Sequence, residues 1–373
     1  MKRMIFTGGG TGGHIYPALA LAREFLDRDP ARKALYLGSG RGLESRAAAS
    51  EGLPFAPIPA RPWRGRNPLQ RILFLWDLLR AWFLCIGHLR RFRPDAVLAT
   101  GSYVSLPVVL AARSLRIPYF LQEQNRVPGK VNLWMASRAR EIYAAFRGTE
   151  EHFPKSSCLV FGNPLRPSFL NRETGEREEG PPRLLVFGGS RGASRINRAV
   201  MEALPALLKD LAFTALLQTG EEELEEVRSA LAVHDSIEVF PYLDDMPRHM
   251  AEADLLLCRA GAMSLAELTV CGLPAILVPY PHAVDDHQTR NAEMLVEAGA
   301  ALLLPDSELQ GRILSEALRP LLSDRALREK MALASASLAK PDAASRILDS
   351  IEKYLSGRGA DDISSPGSKG EIS

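Results

Sequence analysis

A glycine-rich turn that contains a histidine stands near the start of the chain: Gly8-Gly9-Gly10-Thr11-Gly12-Gly13-His14, directly behind Met4-Ile5-Phe6-Thr7. A strand that ends in glycines and enters a helix aims free backbone N–H groups and a positive dipole end at one spot, which suits an anion. His14 falls in the first turn of that helix. Histidine is the side chain type that suits a general base at neutral pH, and one placed here could take a proton from a reacting hydroxyl. A dinucleotide fold would also place an acid at the end of its second strand to hold a ribose. Here that strand ends Leu35-Tyr36-Leu37-Gly38-Ser39-Gly40, and no acid follows before Glu44. Without Gly-Lys-Ser/Thr the turn is not a P-loop either. The bland alternatives are a tight, closely packed turn and a structural histidine.

A second turn of the same form, Gly188-Gly189-Ser190-Arg191-Gly192, follows Leu184-Leu185-Val186-Phe187. Farther on, residues 258–268 again leave a strand for a helix. Ser264 and Glu267 have the spacing of a capping box, so Glu267 could close that helix start. A glutamate there could equally accept hydrogen bonds from a ribose diol. The proline-bounded loop 280–292 is rich in side chains that bond sugar hydroxyls. Its His282, Asp285, Asp286 and His287 lack the helix-face spacing of metal ligands. Asp27-Arg28-Asp29 is a D-x-D by letter alone, at a helix end where charges are usually solvated.

Short apolar runs alternate with helical stretches along the chain, which predicts βαβ units, parallel sheets and an α/β fold. The second half repeats the first. Asp95-Ala96-Val97-Leu98 matches Asp254-Leu255-Leu256-Leu257, and Ser105 matches Ser264 at the same separation. Two similar doubly wound domains facing across a cleft are therefore expected, with the charged, Gly- and Pro-containing stretch 170–183 as a linker. Residues 356–373 have almost nothing to bury and are expected to be a disordered tail. At 373 residues, 46% hydrophobic and 24% charged, the chain has a globular composition with room for two cores. A net charge of +2 gives no global pull toward nucleic acid. The four cysteines form no C-x-x-C pair, as in a reduced cytoplasmic setting. Lys2-Arg3 precede too short an apolar run for a signal peptide, so a short buried strand is expected there.

Residues 61–93 stand apart, with eight arginines against one acid, Asp77, and three of the four tryptophans. Asp77 and Arg80 interrupt the roughly 20 apolar residues that a spanning helix needs. Ile72, Leu75, Leu79 and Phe83 fall on one helical stripe, widened by Trp76 and Trp82 and flanked by Arg71, Arg80, Arg90 and Arg91. Aromatic bulk beside arginine suits an anionic membrane surface, whereas a helix packed on the sheet with an ordinary charged edge is the plain alternative.

Seven motifs occur in order: GGTGGHIYPALALA, GSYVSLP, QEQN, GNPLR, FGGSRGA, CRAGAMSLAEL and DDHQTRNA. Together they resemble the MurG family of UDP-N-acetylglucosamine transferases, in glycosyltransferase family 28, from about Met4 to about Leu355. The resemblance implies a GT-B fold of two Rossmann-like domains. The first would span 1–165 and take back the last helix, about 341–355; the second would span 166–340. The implied reaction is inverting transfer of GlcNAc from UDP-GlcNAc to the C4 hydroxyl of MurNAc in undecaprenyl-diphosphate-MurNAc-pentapeptide. It implies no cofactor and no bound metal, a place at the cytoplasmic face of the bacterial plasma membrane as a peripheral protein, and cell-wall synthesis proteins as neighbours.

Carried over by motif, Glu267 takes the ribose hydroxyls and Ser190 meets the donor diphosphate. Leu243 lines the uracil with its backbone, and Arg259 supports that pocket. Ala262, Met263, Ser264, Leu265 and Ala266 form the loop between sugar and nucleotide, with Gln288 on the GlcNAc hydroxyls. Thr11, Gly12, Gly13 and Asn125 close over the donor sugar, and Arg166 reaches the nucleotide from the hinge. His14 is the implied base, with Tyr103 and Glu123 as nearby candidates. A related GT-B glycolipid synthase, a UDP-GlcNAc epimerase and a non-catalytic nucleotide-sugar binder are the rival readings.

Overall fold

The computed structural model describes residues 1–40, 43–61, 68–171, 180–189 and 192–361. Among the described residues, thirteen strands form two sheets in which every pair is parallel. The first sheet holds β1 (Arg3–Thr7), β2 (Lys33–Gly38), β3 (Phe55–Pro57), β4 (Ala96–Ala99), β5 (Tyr119–Glu123), β6 (Ile142–Ala144) and β7 (Cys158–Val160), in the order β3-β2-β1-β4-β5-β6-β7. The second holds β8 (Arg183–Phe187), β9 (Thr214–Gln218), β10 (Ile237–Phe240), β11 (Leu255–Cys258), β12 (Ala275–Leu277) and β13 (Ala301–Leu303), in the order β10-β9-β8-β11-β12-β13. Apart from β7 the two orders coincide, so the repeat seen in the sequence is a repeat of topology.

Strands of such sheets are covered on both faces and therefore read as continuous apolar runs. Along β1, Met4 and Phe6 enter one core while Ile5 enters the other. In the second half, Leu184 and Val186 face one core and Leu185 and Phe187 its opposite. The matched aspartates do matched work. The Asp95 carboxylate accepts from the amides of Lys2 (2.6 Å) and Arg3 (2.9 Å), and Asp254 accepts from that of Arg183 (2.6 Å). Each staples the start of the central strand to its neighbour.

The helix Ala343–Asp361 returns to the first half, where Ile347, Leu348 and Ile351 join the core of Met4 and Phe6. Arg28 clamps it to α1 (Gly12–Asp27), reaching Asp349 (2.8 Å), Glu352 (3.3 Å) and the carbonyl of Ser345 (2.9 Å). The lock is the arginine between the two aspartates, while Asp27 is exposed and pairs with Arg23 (3.1 Å) on its own helix. The final helix also runs past Leu355 to Asp361, so residues 356–361 are helical where a disordered tail was expected. The Ser356 hydroxyl donates to the Glu352 carbonyl one turn back (2.7 Å). Residues 362–373, and 172–179 of the expected linker, lie outside the described residues. All four cysteines are free, and burial pushes the Cys85 and Cys258 thiols up to about 12, away from thiolate chemistry.

Candidate active site in the interdomain cleft

The first glycine turn leaves β1 and enters α1 at Gly12, with Thr11 as N-cap. It is held from three sides. The Tyr36 hydroxyl donates to the Gly8 carbonyl (2.9 Å), and the Gly10 amide donates to Glu44 (2.9 Å). The Thr100 hydroxyl donates to the His14 carbonyl (2.6 Å). A Cβ on Gly8 would lie 2.0 Å from the Thr100 hydroxyl, so only glycine fits.

His14 is half-buried, and its Nδ1 lies 2.8 Å from the Thr100 carbonyl oxygen. A carbonyl can only accept, so Nδ1 carries a proton, and in the neutral ring the lone pair lies on Nε2. This is the tautomer that a base requires. The same carbonyl also accepts from Gln124 Nε2 (2.9 Å). Tyr103, the second residue of α4 (Ser102–Ser114), lays its ring 3.2 Å from where a Gly10 Cβ would stand.

Glu123 is wholly buried. One carboxylate oxygen accepts from the Asn125 amide (3.0 Å), the other from the Gly129 amide (3.0 Å) and Asn132 Nδ2 (2.7 Å). These bonds shape the loop between β5 and α5 (Lys130–Ala136).

That loop meets the second half. Asn291 is fully buried in the helix His287–Glu297. Its Nδ2 donates to Asn125 Oδ1 (3.1 Å), and its Oδ1 accepts from the Arg126 amide (2.9 Å). Asn163 bonds Gln122 (2.9 Å), the Gln124 carbonyl (3.1 Å) and the Ala262 carbonyl (3.3 Å), so it ties both halves at the hinge.

Glu267 does not cap its helix. The helix runs Ala262–Cys271 with Gly261 at the N-cap, which places Ser264 inside the first turn instead of ahead of it. The glutamate faces Arg166 instead, at 3.6 Å, with only 12% of its side chain exposed. Burial pushes its carboxyl up to about 7, and Arg166 opposes that rise. Arg166 is stacked between the rings of Tyr16 (4.9 Å) and Phe169 (5.1 Å), which link the start of α1 to the second half. Burial also raises the Tyr16 phenol, with Tyr242 and Glu267 nearby.

Around this point, Leu243 is buried and its amide donates to Gln218 Oε1 (3.0 Å). Arg259 pairs with Asp306 (2.6 Å), donates to the Val278 and Pro279 carbonyls and lies over the Tyr280 ring (5.7 Å). Gln288 Oε1 accepts from the Tyr280 amide (2.9 Å), while His287 Nδ1 is turned to the Val284 carbonyl (2.7 Å). Ala262, Met263 and Leu265 are buried, and Ser264 and Ala266 are half-buried. Ser190 and Arg191 lie outside the described residues. Beside them, a Cβ on Gly192 would stand 1.9 Å from the Thr219 carbonyl, so this turn too is packed on its neighbour.

On the far flank, α3 (Pro68–Phe92) packs along α4 and turns Ala81, Cys85 and Leu89 into the core. By length and composition residues 72–92 could cross a bilayer. A helix with one face built into a sheet-containing core cannot also be wrapped by lipid, so it lies on the domain. The opposite face exposes Ile72 (63%), Leu75 (59%), Trp76 (65%), Leu79 (44%) and Phe83 (59%). Arg80 is exposed with them, and the side chain of Arg71 is not among those described. Trp82 sits at the edge of this face, half-buried beside Leu75 and Leu79, with its ring 4.7 Å from that of Phe83 and its indole N–H donating to Ser114 (3.2 Å). The lone acid Asp77 is turned aside and paired with Arg61 (3.1 Å).

The profiles of the N-terminal and C-terminal domains of glycosyltransferase family 28 match residues 4–144 and 183–347. The chain belongs to glycosyltransferase family 28. A family relative from Geobacter sulfurreducens is 41% identical, covering 94% of this chain and 98% of the relative. It is named UDP-N-acetylglucosamine--N-acetylmuramyl-(pentapeptide) pyrophosphoryl-undecaprenol N-acetylglucosamine transferase. The crystal structure of MurG from Acinetobacter baumannii superposes with a TM-score of 0.78 at 32% identity, over 95% of this chain and all of that one. A UDP-GlcNAc 2-epimerase from Neisseria meningitidis, at 14% identity and TM-score 0.69 over 95% of this chain and all of that one, shares the fold alone. The two-sheet architecture is the GT-B fold of these glycosyltransferases.

In this family 28 chain, motif reasoning missed Thr100, Gln124, Tyr16, Asn163 and Asn291. Thr100 orients the His14 ring through its backbone carbonyl, which leaves no trace in residue type. Tyr16 sits two residues after His14, and its spacing from Arg166 carries no signal because the contact forms only across the cleft.

Proposed function

We propose that this chain transfers GlcNAc from UDP-GlcNAc to the C4 hydroxyl of MurNAc in undecaprenyl-diphosphate-MurNAc-pentapeptide, with inversion. The observation that carries the proposal is the cleft itself. One wall presents a histidine in the base tautomer, the other a carboxylate–guanidinium pair suited to a ribose. His14 Nε2 takes the proton of the acceptor hydroxyl as that oxygen attacks the anomeric carbon. The bond to UDP breaks in line, and its electron pair leaves on the diphosphate. The glycine turn after β8 and the start of the helix Ser194–Leu207 stabilise that anion.

Glu267 accepts the ribose hydroxyls, and Arg166 holds the nucleotide side of the cleft. The Leu243 backbone lines the uracil, and Arg259 keeps the Val278–Tyr280 turn behind it. Residues 262–266 and Gln288 surround the sugar, while Thr11, Gly12, Gly13 and Asn125 close over it. Tyr103 packs the glycine turn, and Glu123 shapes the 125–129 loop, leaving His14 as the base. Residues 1–165 with the last helix form the acceptor half, and 166–340 the donor half. Closure between them excludes water and suppresses donor hydrolysis.

The exposed apolar face of α3, edged by arginine, holds the enzyme on the anionic cytoplasmic face of the plasma membrane, beside a lipid-linked acceptor. The test supplies radiolabelled UDP-GlcNAc with the lipid-linked muramoyl acceptor. Label is expected in the organic phase only when both are present. Label that stays in water as a 2-epimer or free sugar would overturn the proposal.

A further inference from the structure

In the first half a carboxylate occupies the glycine turn from within. Glu44, in the first turn of α2 (Leu43–Ser50), is 2% exposed. Its Oε1 accepts from the Gly10 amide (2.9 Å), and its Oε2 accepts from the amide and the hydroxyl of Ser39, the latter at 2.9 Å. One side chain thus ties together two neighbouring strand-to-helix turns, the one after β1 and the one after β2. Gly9 and Gly38 make room for it, since a Cβ on either would fall 2.3 Å and 2.8 Å from its two oxygens.

The second half has an acid at the corresponding place after β9, but it is used differently. Glu223 takes the side chain of Asn197 (2.5 Å), a residue inside the helix that follows the second glycine turn. No carboxylate bond to the amides of Gly188, Gly189 or Gly192 occurs among the described residues. The Gly192 amide instead closes on the Gly189 carbonyl (3.0 Å), within the turn itself. At the first turn the Gly10 amide is already satisfied by a fixed negative group, which also repels a phosphate.

We propose that Glu44 is a positioning residue for the transfer reaction: it locks the Gly8–Gly10 turn so that Thr11 to His14 face the sugar. This rests on the proposed function, because the benefit appears only if His14 serves a reacting hydroxyl. Glu44 touches no reacting atom. It acts through the Gly10 amide and the N-cap that follows it.

The test uses the full chain with Glu44→Ala and Glu44→Gln. The glutamine keeps an acceptor for the Gly10 amide but cannot also serve both Ser39 donors. The expected result is a kcat reduced at least about 100-fold in Glu44→Ala and partly restored in Glu44→Gln. UDP affinity, measured by calorimetry, stays within about twofold in both. Amide hydrogen exchange of the peptide covering residues 8–13 accelerates in the order wild type, Gln, Ala. That exchange is readable whatever the enzyme transfers, so unchanged protection overturns the Glu44 proposal on its own. Loss of kcat and UDP affinity together also overturns it, because a general loss of structure would do the same. A wild-type enzyme with no transferase activity but the expected exchange pattern would overturn the function and leave the lock standing.

Discussion

Nδ1 of His14 lies 2.8 Å from the carbonyl oxygen of Thr100, the residue that follows β4. The central strand of the first sheet ends in the turn that carries the histidine, and its neighbour supplies the group that orients the ring. Adding a methyl at Gly8 would push both, since its Cβ would stand 2.0 Å from the Thr100 hydroxyl and 2.5 Å from the His14 carbonyl. Gly8→Ala should lower kcat by about 100-fold or more and cost about 1–3 kcal/mol of stability. Steady-state kinetics beside a thermal melt check this, and an unperturbed kcat would refute the tight coupling of turn and base.

Glu267 has a carboxyl raised to about 7 by burial. A raised acid stabilises the fold while protonated and loses that contribution as pH climbs from its unfolded value to about 7. A neutral carboxyl also accepts less well from a ribose diol, so UDP-GlcNAc affinity should rise with pH across this range. Glu267→Ala should weaken the donor by about 1–3 kcal/mol, and Glu267→Gln should flatten the pH dependence. Calorimetric titration from pH 6 to 8 measures both effects. A slope that persists in the Gln variant would assign the titration to another group.

Glu123 separates the base from its support. Both of its oxygens are occupied by the loop it shapes, so Glu123→Gln should set an amide N–H against other donors and lower stability by about 1–3 kcal/mol. Turnover should fall by less than about tenfold, against the ~100- to 10,000-fold that loss of a general base brings. A well-folded Glu123→Gln protein with the larger defect would move the base role to Glu123.

The α3 surface makes a prediction of its own. Full burial of a large apolar side chain gains about 1.5–3 kcal/mol, so Trp76→Glu with Leu79→Glu should weaken vesicle binding by about tenfold or more. Flotation with phosphatidylglycerol-containing vesicles reads this out, and wild-type binding should fall with salt. Equal flotation of variant and wild type would remove α3 from the membrane contact.

The sheets were legible because parallel strands announce themselves as apolar runs, and the Asp95/Asp254 match exposed the repeat before any coordinates. The two glycine turns were legible as well, but not which one a donor would use. Only the structure shows Glu44 seated in the first. Glu267 shows where spacing misleads. Ser264 and Glu267 have the letters of a capping box, yet the helix begins two residues before Ser264, and the carboxylate meets Arg166 across the hinge. Arg166, Tyr16 and Asn291 act between halves far apart in sequence, so local pattern gives no distance for them. The bond from the Trp82 indole to Ser114 on α4 is a tertiary contact that helical periodicity does not contain.

The division of labour across the cleft is tested most directly by His14→Ala, with UDP-GlcNAc affinity by calorimetry and kcat measured on the same preparation. The account predicts a kcat lower by about 100- to 10,000-fold and a donor affinity within about twofold of wild type. Unchanged turnover, or donor affinity lost in step with kcat, would contradict it.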